Sequence, residues 1–236
     1  MALPRIDKPL FDLKVPSLDT AIKARPFVVK EEKILLTAQQ SGSEKDIILA
    51  IKQVLQNCIV EPTFDADTLT TFDLEYMFLK LRARSVSNII EVSYRDNDDN
   101  KVYEFEIDLD TVEMLQDKPI NNKIMINDEV GIVMKFPSVT VLEGVPEEIS
   151  ATDLVEYLVR SCIEQIFDAD EVYLASDQTA EELSDFIDSL DIETFNKIRE
   201  FFDSLPQLYH KLEYVNANGD ERTIELTTLN DFFTWR

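Results

Sequence analysis

The sequence predicts an α+β fold. An N-terminal β-hairpin with helices leads into a central antiparallel β region, and an acidic helical part ends the chain in a second hairpin. Short segments that alternate apolar and polar residues, apolar residues at helical spacing between them, and turn residues at the boundaries support this prediction. The corresponding regions are residues 1–86, 87–148 and 149–236.

The N-terminal hairpin is predicted from residues 11–16 and 21–27, in which apolar and polar side chains alternate. Pro26 ends the strand pairing because proline has no N–H to donate. Glu31 and Glu32 then fall in the first turn of a helix, where the helix dipole favours negative charge.

Two further helical regions complete the first part of the chain. Residues 28–60 form one broken helix or two, with Ser43 as the N-cap of the second part. Residues 69–83 form another helix, which we expect to be capped by Thr71 or Asp67.

The middle of the chain contains four segments typical of strands. Residues 90–94 pair with residues 102–107, and residues 123–126 pair with residues 131–136, each across a polar turn. We interpret the four as one antiparallel sheet that Pro137 ends.

The last part is predicted to be mainly helical. Ser150 or Thr152 caps a helix that continues through Ile166. Residues 179–182 have the pattern of a capping box, and residues 192–205 form the next helix.

The C-terminus is predicted to be a hairpin followed by an aromatic tail. Residues 208–215 and 222–226 are its strands, and the Asn-Gly pair between them favours a hairpin turn. Phe232, Phe233 and Trp235 are candidate partner-binding residues because exposed aromatic side chains anchor interfaces. The alternative is a tail that packs back on the domain.

Charge is the strongest feature of the composition. The 236 residues include 47 acidic and 23 basic side chains, for a net charge of −24, and the part after Leu142 carries −17 of it. Such a surface repels nucleic acids and anionic membranes, so we expect neither as a partner. It favours a basic partner, although a solvated acidic face without a dedicated partner is the alternative. No window is apolar enough to span a bilayer, and we find no signal segment.

The chain offers few residues for catalysis or cofactor binding. Cys58 and Cys162 are expected to be buried thiols, and His210 is the single histidine without a nucleophile motif beside it. The four glycines are too scattered to form a phosphate-binding loop. We therefore predict no cofactor, no metal site and no catalytic residue.

Two acidic motifs are candidate cation sites. Asp96, Asp98 and Asn100 begin like a calcium loop, but Lys101 and Ile107 stand where that loop needs glycine and glutamate. A solvated hairpin loop is the simpler interpretation. A similar Phe-Asp-Ala-Asp motif occurs twice, at residues 64–67 and 167–170, and helix capping explains it without a metal.

Some of these segments resemble a known family. Leu3-Pro4, residues 11–16, Arg25-Pro26-Phe27 and residues 30–36 resemble the base plate hub assembly proteins of T-even-like tailed bacteriophages, which are relatives of tail assembly chaperones. Residues 208–233 are similar to the end of that family. Some members have a cysteine pair in this hairpin, in a small metal knuckle, but no cysteine occurs here.

The resemblance implies a non-enzymatic assembly factor. Such a protein would bind the tape-measure protein and other base plate hub proteins during virion assembly, like a chaperone. It would act in the host cytoplasm or at the virion base plate. Two alternatives stay open: a structural hub subunit retained in the virion, and a carboxylate- or metal-dependent hydrolase.

Overall fold

A computed structural model describes residues 7–146 and 148–232, apart from the side chain of Glu44, and confirms the α+β class. The strands are β1 (Phe11–Val15), β2 (Thr20–Ala24), β3 (Ile89–Arg95), β4 (Val102–Asp108), β5 (Glu113–Leu115), β6 (Lys123–Met125), β7 (Gly131–Met134), β8 (Ile163–Phe167), β9 (Val172–Leu174), β10 (Gln207–Val215) and β11 (Glu221–Leu226). The helices are α1 (Val29–Ser41), α2 (Glu44–Cys58), α3 (Thr71–Ser85), α4 (Val139–Glu143), α5 (Ala151–Cys162), α6 (Ala180–Asp188), α7 (Ile192–Asp203) and α8 (Leu229–Phe232).

The chain divides into two compact units. Unit 1 joins the part up to residue 115 with the part from residue 207 onward, and unit 2 is the segment 116–206 between them. The predicted boundaries at residues 86 and 148 both fall inside a unit, because the β10–β11 hairpin pairs with β5 far back in the sequence. A division into three domains at those boundaries stays a prediction.

The N-terminal hairpin forms as predicted. β1 and β2 pair antiparallel, and Leu13 and Val15 turn into the core. Asp19 takes the left-handed backbone conformation in the connection, with φ of 47°, which aspartate tolerates better than most residues.

The Arg25-Pro26-Phe27 motif joins the hairpin to the helices. The Arg25 guanidinium donates to a carboxylate oxygen of Glu31 and to the carbonyl of Asn57, each at 3.0 Å. Glu31 is buried and also accepts the N–H of Val28, which caps α1. Burial alone would raise the pKa of Glu31, but the guanidinium and backbone donors together hold it below its ordinary value. This motif therefore has a structural role at the start of α1.

Residues 28–60 form two helices, one of the two predicted arrangements. Gly42 has a φ of 69° and ends α1, and the Ser43 side chain caps α2 by accepting the N–H of Asp46. The prediction of Thr71 or Asp67 as the cap of α3 is wrong, since Thr70 forms a capping box with Asp73 instead.

The predicted four-stranded central sheet is wrong, although both of its hairpins form. β3 and β4 are a sheet of two strands on their own, and they belong to unit 1. β6 and β7 continue into β8 and β9 to make a four-stranded sheet in the order β6-β7-β8-β9 in unit 2.

Unit 2 folds around that sheet and its helices. The helix capped by Ser150 ends at Cys162, so the predicted extension through Ile166 is wrong and the chain enters β8 at Ile163. The capping box of Thr179 and Glu182 opens α6 as predicted. The buried core consists of apolar side chains from the sheet, α5, α6 and α7: Ile124, Ile132, Met134, Val159, Cys162, Ile163, Ile187, Ile198 and Phe201.

The C-terminal hairpin also forms as predicted. β10 pairs with β11, and Gly219 in the turn has a φ of 89°, which glycine adopts without strain. β10 pairs on its other side with β5, so the hairpin completes a three-stranded sheet in unit 1.

Candidate partner-binding surfaces

The structure describes one of the three predicted partner-binding aromatics. Phe232 in α8 is 1% exposed, in the core of unit 1. Asp231 fixes the start of that short helix by accepting the N–H groups of Thr227 and Thr228. Phe232 therefore packs back on the domain, as in the alternative to partner binding. Phe233 and Trp235 lie outside the described residues, and partner binding by the tail stays a prediction.

The two cysteines occupy the positions expected of buried thiols. Cys58 and Cys162 are both free and fully buried. Burial raises the pKa of Cys58 to about 11 and that of Cys162 to about 12, so both thiols are protonated at neutral pH. His210 lies within β10, and partial burial lowers its pKa.

The acidic loop between β3 and β4 is more structured than a solvated loop. Asp96 is 4% exposed and accepts the Tyr214 hydroxyl at 2.8 Å. Asp99 accepts the N–H of Ala217 at 2.9 Å, and Arg222 forms an ion pair with Asp98. The interpretation as a solvated loop is therefore corrected for Asp96, because these carboxylates fasten the loop to the β10–β11 hairpin. Among the described residues, no cluster of three or more His, Cys, Asp or Glu side chains could hold a metal ion.

Unit 1 contains an apolar groove between two helices, which we call the α1–α2 groove. Ile34 and Ala38 of α1 face Leu49 and Ala50 of α2 across a volume of about 480 Å³. Leu49 is 37% exposed, so apolar surface is accessible there. The polar residues along the groove include Lys33 and Asp46, which carry opposite charges. At 1.5 Å per residue, the two helices are about 20 Å long, the length of three to four helical turns.

Unit 2 contains a second groove, which we call the β9 groove, between the β8–β9 hairpin and α6. It has a volume of about 300 Å³. Its lining is mainly apolar or aromatic, with two carboxylates and one amide: Val130, Ile166, Phe167, Asp168, Tyr173, Gln178, Glu182, Leu183 and Phe186. The groove could not be predicted from the helix expected through Ile163 and Ile166, because these residues form the strand β8 instead.

The two carboxylates of the β9 groove are held in the charged form. The backbone N–H groups of Asp170 and Glu171 donate to Asp168 at 2.9 and 2.8 Å and hold its pKa below the ordinary value. The backbone N–H and the hydroxyl of Thr179 donate to Glu182 and lower its pKa in the same way. Both side chains therefore present fixed negative charge at neutral pH.

The β9 groove lies in the most acidic part of the chain. Residues 161–196, which we call the acidic stretch, contain 11 acidic residues and no lysine or arginine. In the part of the chain that the structure describes, Glu193 is the one member of this stretch with an ion pair, to Lys197. The stretch is therefore strongly negative, with little compensation by basic side chains.

Comparison with known proteins identifies the class. A family model described as T4 bacteriophage base plate protein matches residues 8–234, nearly the whole chain. The molecule is thus a base plate protein of a tailed phage. The chain belongs to the T4 bacteriophage base plate protein family, and the resemblance to T-even-like base plate proteins is confirmed. No curated protein and no solved structure matches the chain.

Membership in this family gives the chain a role in the phage base plate. It also implies contacts with other base plate proteins and association with the virion. Within residues 7–146 and 148–232, none of the helices has the length and apolar character that a membrane span requires.

Proposed function

We propose that this protein is a non-enzymatic, chaperone-like assembly factor of the base plate hub. It acts in the host cytoplasm and holds an amphipathic helix of the tape-measure protein, or of another hub protein, before the tail assembles. The main observation that supports this proposal is the α1–α2 groove, an accessible apolar groove between two helices. Family membership supports the base plate setting.

The physical argument concerns what an unassembled tail protein exposes. A long amphipathic helix that has not met its final neighbours presents an apolar stripe that aggregates in water. A third helix laid along α1 and α2 would cover that stripe, as in helix-in-groove recognition. The net charge of −24 would keep such a complex soluble.

Co-expression with the tape-measure protein of the same phage tests the proposal. We expect the intact chain to raise the soluble yield of that partner, and Leu49→Glu to abolish most of the gain because it places a charge in the apolar groove. Leu18→Glu is the matched control, since Leu18 is 68% exposed in the hairpin connection outside this groove. An unchanged partner yield with the intact chain would refute the chaperone-like role.

Whether the aromatic tail contributes to partner binding could be tested by deleting residues 229–236, but substitutions give a cleaner test. That deletion removes Leu229 and Phe232, both buried, and so opens the core. Phe233→Ala and Trp235→Ala leave these residues in place. We propose that the tail assists partner binding, in which case the two substitutions together reduce the co-expression gain.

Purified virions distinguish the assembly factor from a retained structural subunit. We expect the protein to associate with the base plate during assembly and to be present in mature particles at far fewer copies than the structural base plate proteins. A stoichiometric band on a gel would displace the transient role in favour of a structural hub subunit.

A further inference from the structure

The outer strand of the unit 2 sheet is exposed along its whole length. β9 is the last strand in the order β6-β7-β8-β9. Its three residues, Val172, Tyr173 and Leu174, are 54%, 38% and 45% exposed. No residue within β9 is charged or a proline, although Asp170 and Glu171 directly precede it. Exposed apolar side chains on a sheet edge invite another strand to pair there.

The opposite edge of the same sheet carries a different charge. β6 begins with Lys123, an exposed lysine, and lysine on an edge strand is one of the devices that discourage pairing. The charged residues next to β9 are the acidic Asp170 and Glu171. Positive charge therefore opposes a basic segment at β6 and not at β9.

The backbone of β9 has hydrogen-bonding groups directed outward. The backbone N–H of Asp168 donates to the backbone carbonyl of Glu171 at the turn of the β8–β9 hairpin. Val172 pairs with Phe167, Tyr173 with Ile166 and Leu174 with Gln165. Antiparallel ladders alternate between residues that bond the partner strand and residues that face away. Counting from the Asp168–Glu171 bond, Tyr173 bonds β8, whereas the N–H groups of Val172 and Leu174 face outward.

We infer that β9 and the adjoining β9 groove bind an extended, basic segment of a partner protein by strand addition. Main-chain hydrogen bonds to Val172 and Leu174 would supply the pairing, and an apolar side chain of the segment would enter the groove beside Tyr173 and Phe186. Lysine or arginine residues of the segment would meet the acidic stretch, which has 11 acidic and no basic residues.

A second copy of this chain is a poor occupant for the same edge. Two β9 strands pairing antiparallel about Tyr173 would bring Asp168, Asp170 and Glu171 of one copy toward Asp177 of the other. These are like charges at short range, which oppose association. Charge complementarity therefore selects a basic heterologous segment.

Binding of a synthetic peptide to the full chain tests this inference. The probe is a fluorescent seven-residue peptide that alternates lysine with valine or leucine. Its first control carries N-methyl groups on the backbone nitrogens of one edge, and its second replaces every lysine by glutamate. We expect the probe to bind in low salt, the N-methylated peptide to bind about tenfold more weakly, and the acidic peptide not to bind.

Protein variants locate the site. Val172→Lys places a positive guard on β9 and is expected to weaken binding of the probe about fivefold or more. Ile192→Lys is the matched control, because it adds the same charge to the acidic stretch at a residue that is 81% exposed in α7. We expect that variant to change binding less than about twofold.

Amide hydrogen exchange provides a readout of strand pairing itself. The probe should slow exchange at the N–H groups of Val172 and Leu174 and leave other surface amides unchanged. Two results would overturn strand addition and leave only charge attraction. One is that the N-methylated peptide binds as tightly as the probe, and the other is that Val172→Lys and Ile192→Lys weaken binding equally. Because the site lies in unit 2, its failure leaves the role proposed for the α1–α2 groove standing.

Discussion

The two units use their charged residues in opposite ways. Every buried carboxylate among the described residues (Glu31, Asp73 and Asp96) lies in unit 1, whereas the buried polar residues of unit 2 are the neutral Thr194 and Ser204. Unit 2 has 21 acidic and six basic residues in the 91 positions from 116 to 206. Unit 1 therefore buries carboxylates that hold its elements together, whereas none of the buried polar residues described in unit 2 is charged.

Each buried carboxylate of unit 1 has several hydrogen-bond donors. Asp73, for example, accepts the N–H of Ser17 at 2.8 Å and the hydroxyl of Thr70 at 2.6 Å. A buried charge is tolerated only when such partners replace water. The comparison predicts that neutralising one of these three buried, hydrogen-bonded carboxylates is costly, whereas neutralising an exposed carboxylate of unit 2 is nearly free.

The largest effect is expected from Glu31→Gln. The change leaves the Arg25 guanidinium without its charged partner and weakens the cap on α1, so we expect a loss of about 2–4 kcal/mol in the free energy of unfolding of unit 1. Denaturant unfolding followed by segment-resolved hydrogen exchange measures it. Glu193→Gln in unit 2 is the control, because the Glu193 side chain is 82% exposed and its ion pair with Lys197 should contribute less than about 0.5 kcal/mol. Equal losses in the two variants would abolish the distinction between the units.

A pH-dependent effect of intermediate size and opposite sign is expected at Glu75 in unit 1, which is half-buried and is not one of the three buried carboxylates. Desolvation of this half-buried side chain is the larger cause, and the nearby negative charge of Asp231 the smaller cause, of a pKa raised to about 7. The folded state then binds the proton more tightly than the unfolded state, so this residue should lower stability as pH rises from about 4.5 to 7. Glu75→Gln should remove that decline and increase the free energy of unfolding by roughly 1–3 kcal/mol at pH 8.

Unfolding of both proteins at pH 4 and pH 8 checks the sign. The variant and the natural chain should be nearly equal at pH 4, where Glu75 is protonated in both states. A variant that is less stable than the natural chain at pH 8 would show that the Glu75 carboxylate forms a stabilising contact.

The smallest effect concerns a helix cap in unit 2. Thr179→Ala removes the hydroxyl that accepts the N–H of Glu182 at 3.2 Å, at a cost of about 1 kcal/mol. Thr152→Ala is the matched control, because Ser150 rather than Thr152 caps α5. Faster amide exchange in α6 for the first variant alone would confirm the assignment, and equal behaviour of both would contradict it.

Local structure was largely predictable from the sequence. The hairpins at residues 11–24 and 207–226, the break at Gly42 and the capping box at Thr179 all follow from side-chain patterns over a few residues. The cap of α3, predicted at Thr71 or Asp67, lies at Thr70, which forms a capping box with Asp73. The N-cap residue is defined by its backbone angles, and the sequence alone does not show which of two neighbouring threonines adopts them.

Long-range pairing was not predictable. The alternation of apolar and polar residues identifies which face of a strand is buried, but it does not specify which strand lies beside it. The β3–β4 and β6–β7 hairpins were therefore predicted correctly, but their combination into one sheet was wrong. Ile163–Phe167 has apolar residues that suit either a helix or a buried strand, and pairing with β7 decides for the strand. The β9 groove was missed for the same reason.

By itself, the sequence determined the two terminal hairpins, the concentration of acidic residues after Leu142 and the resemblance to phage base plate proteins, because these properties are local or compositional. The tertiary structure alone decided that Asp96 is buried under the β10–β11 hairpin, that Phe232 lies in the core, and that β9 is a sheet edge. Burial and edge position depend on contacts between segments that are distant in the chain, and the pattern within a short window of residues does not specify those contacts.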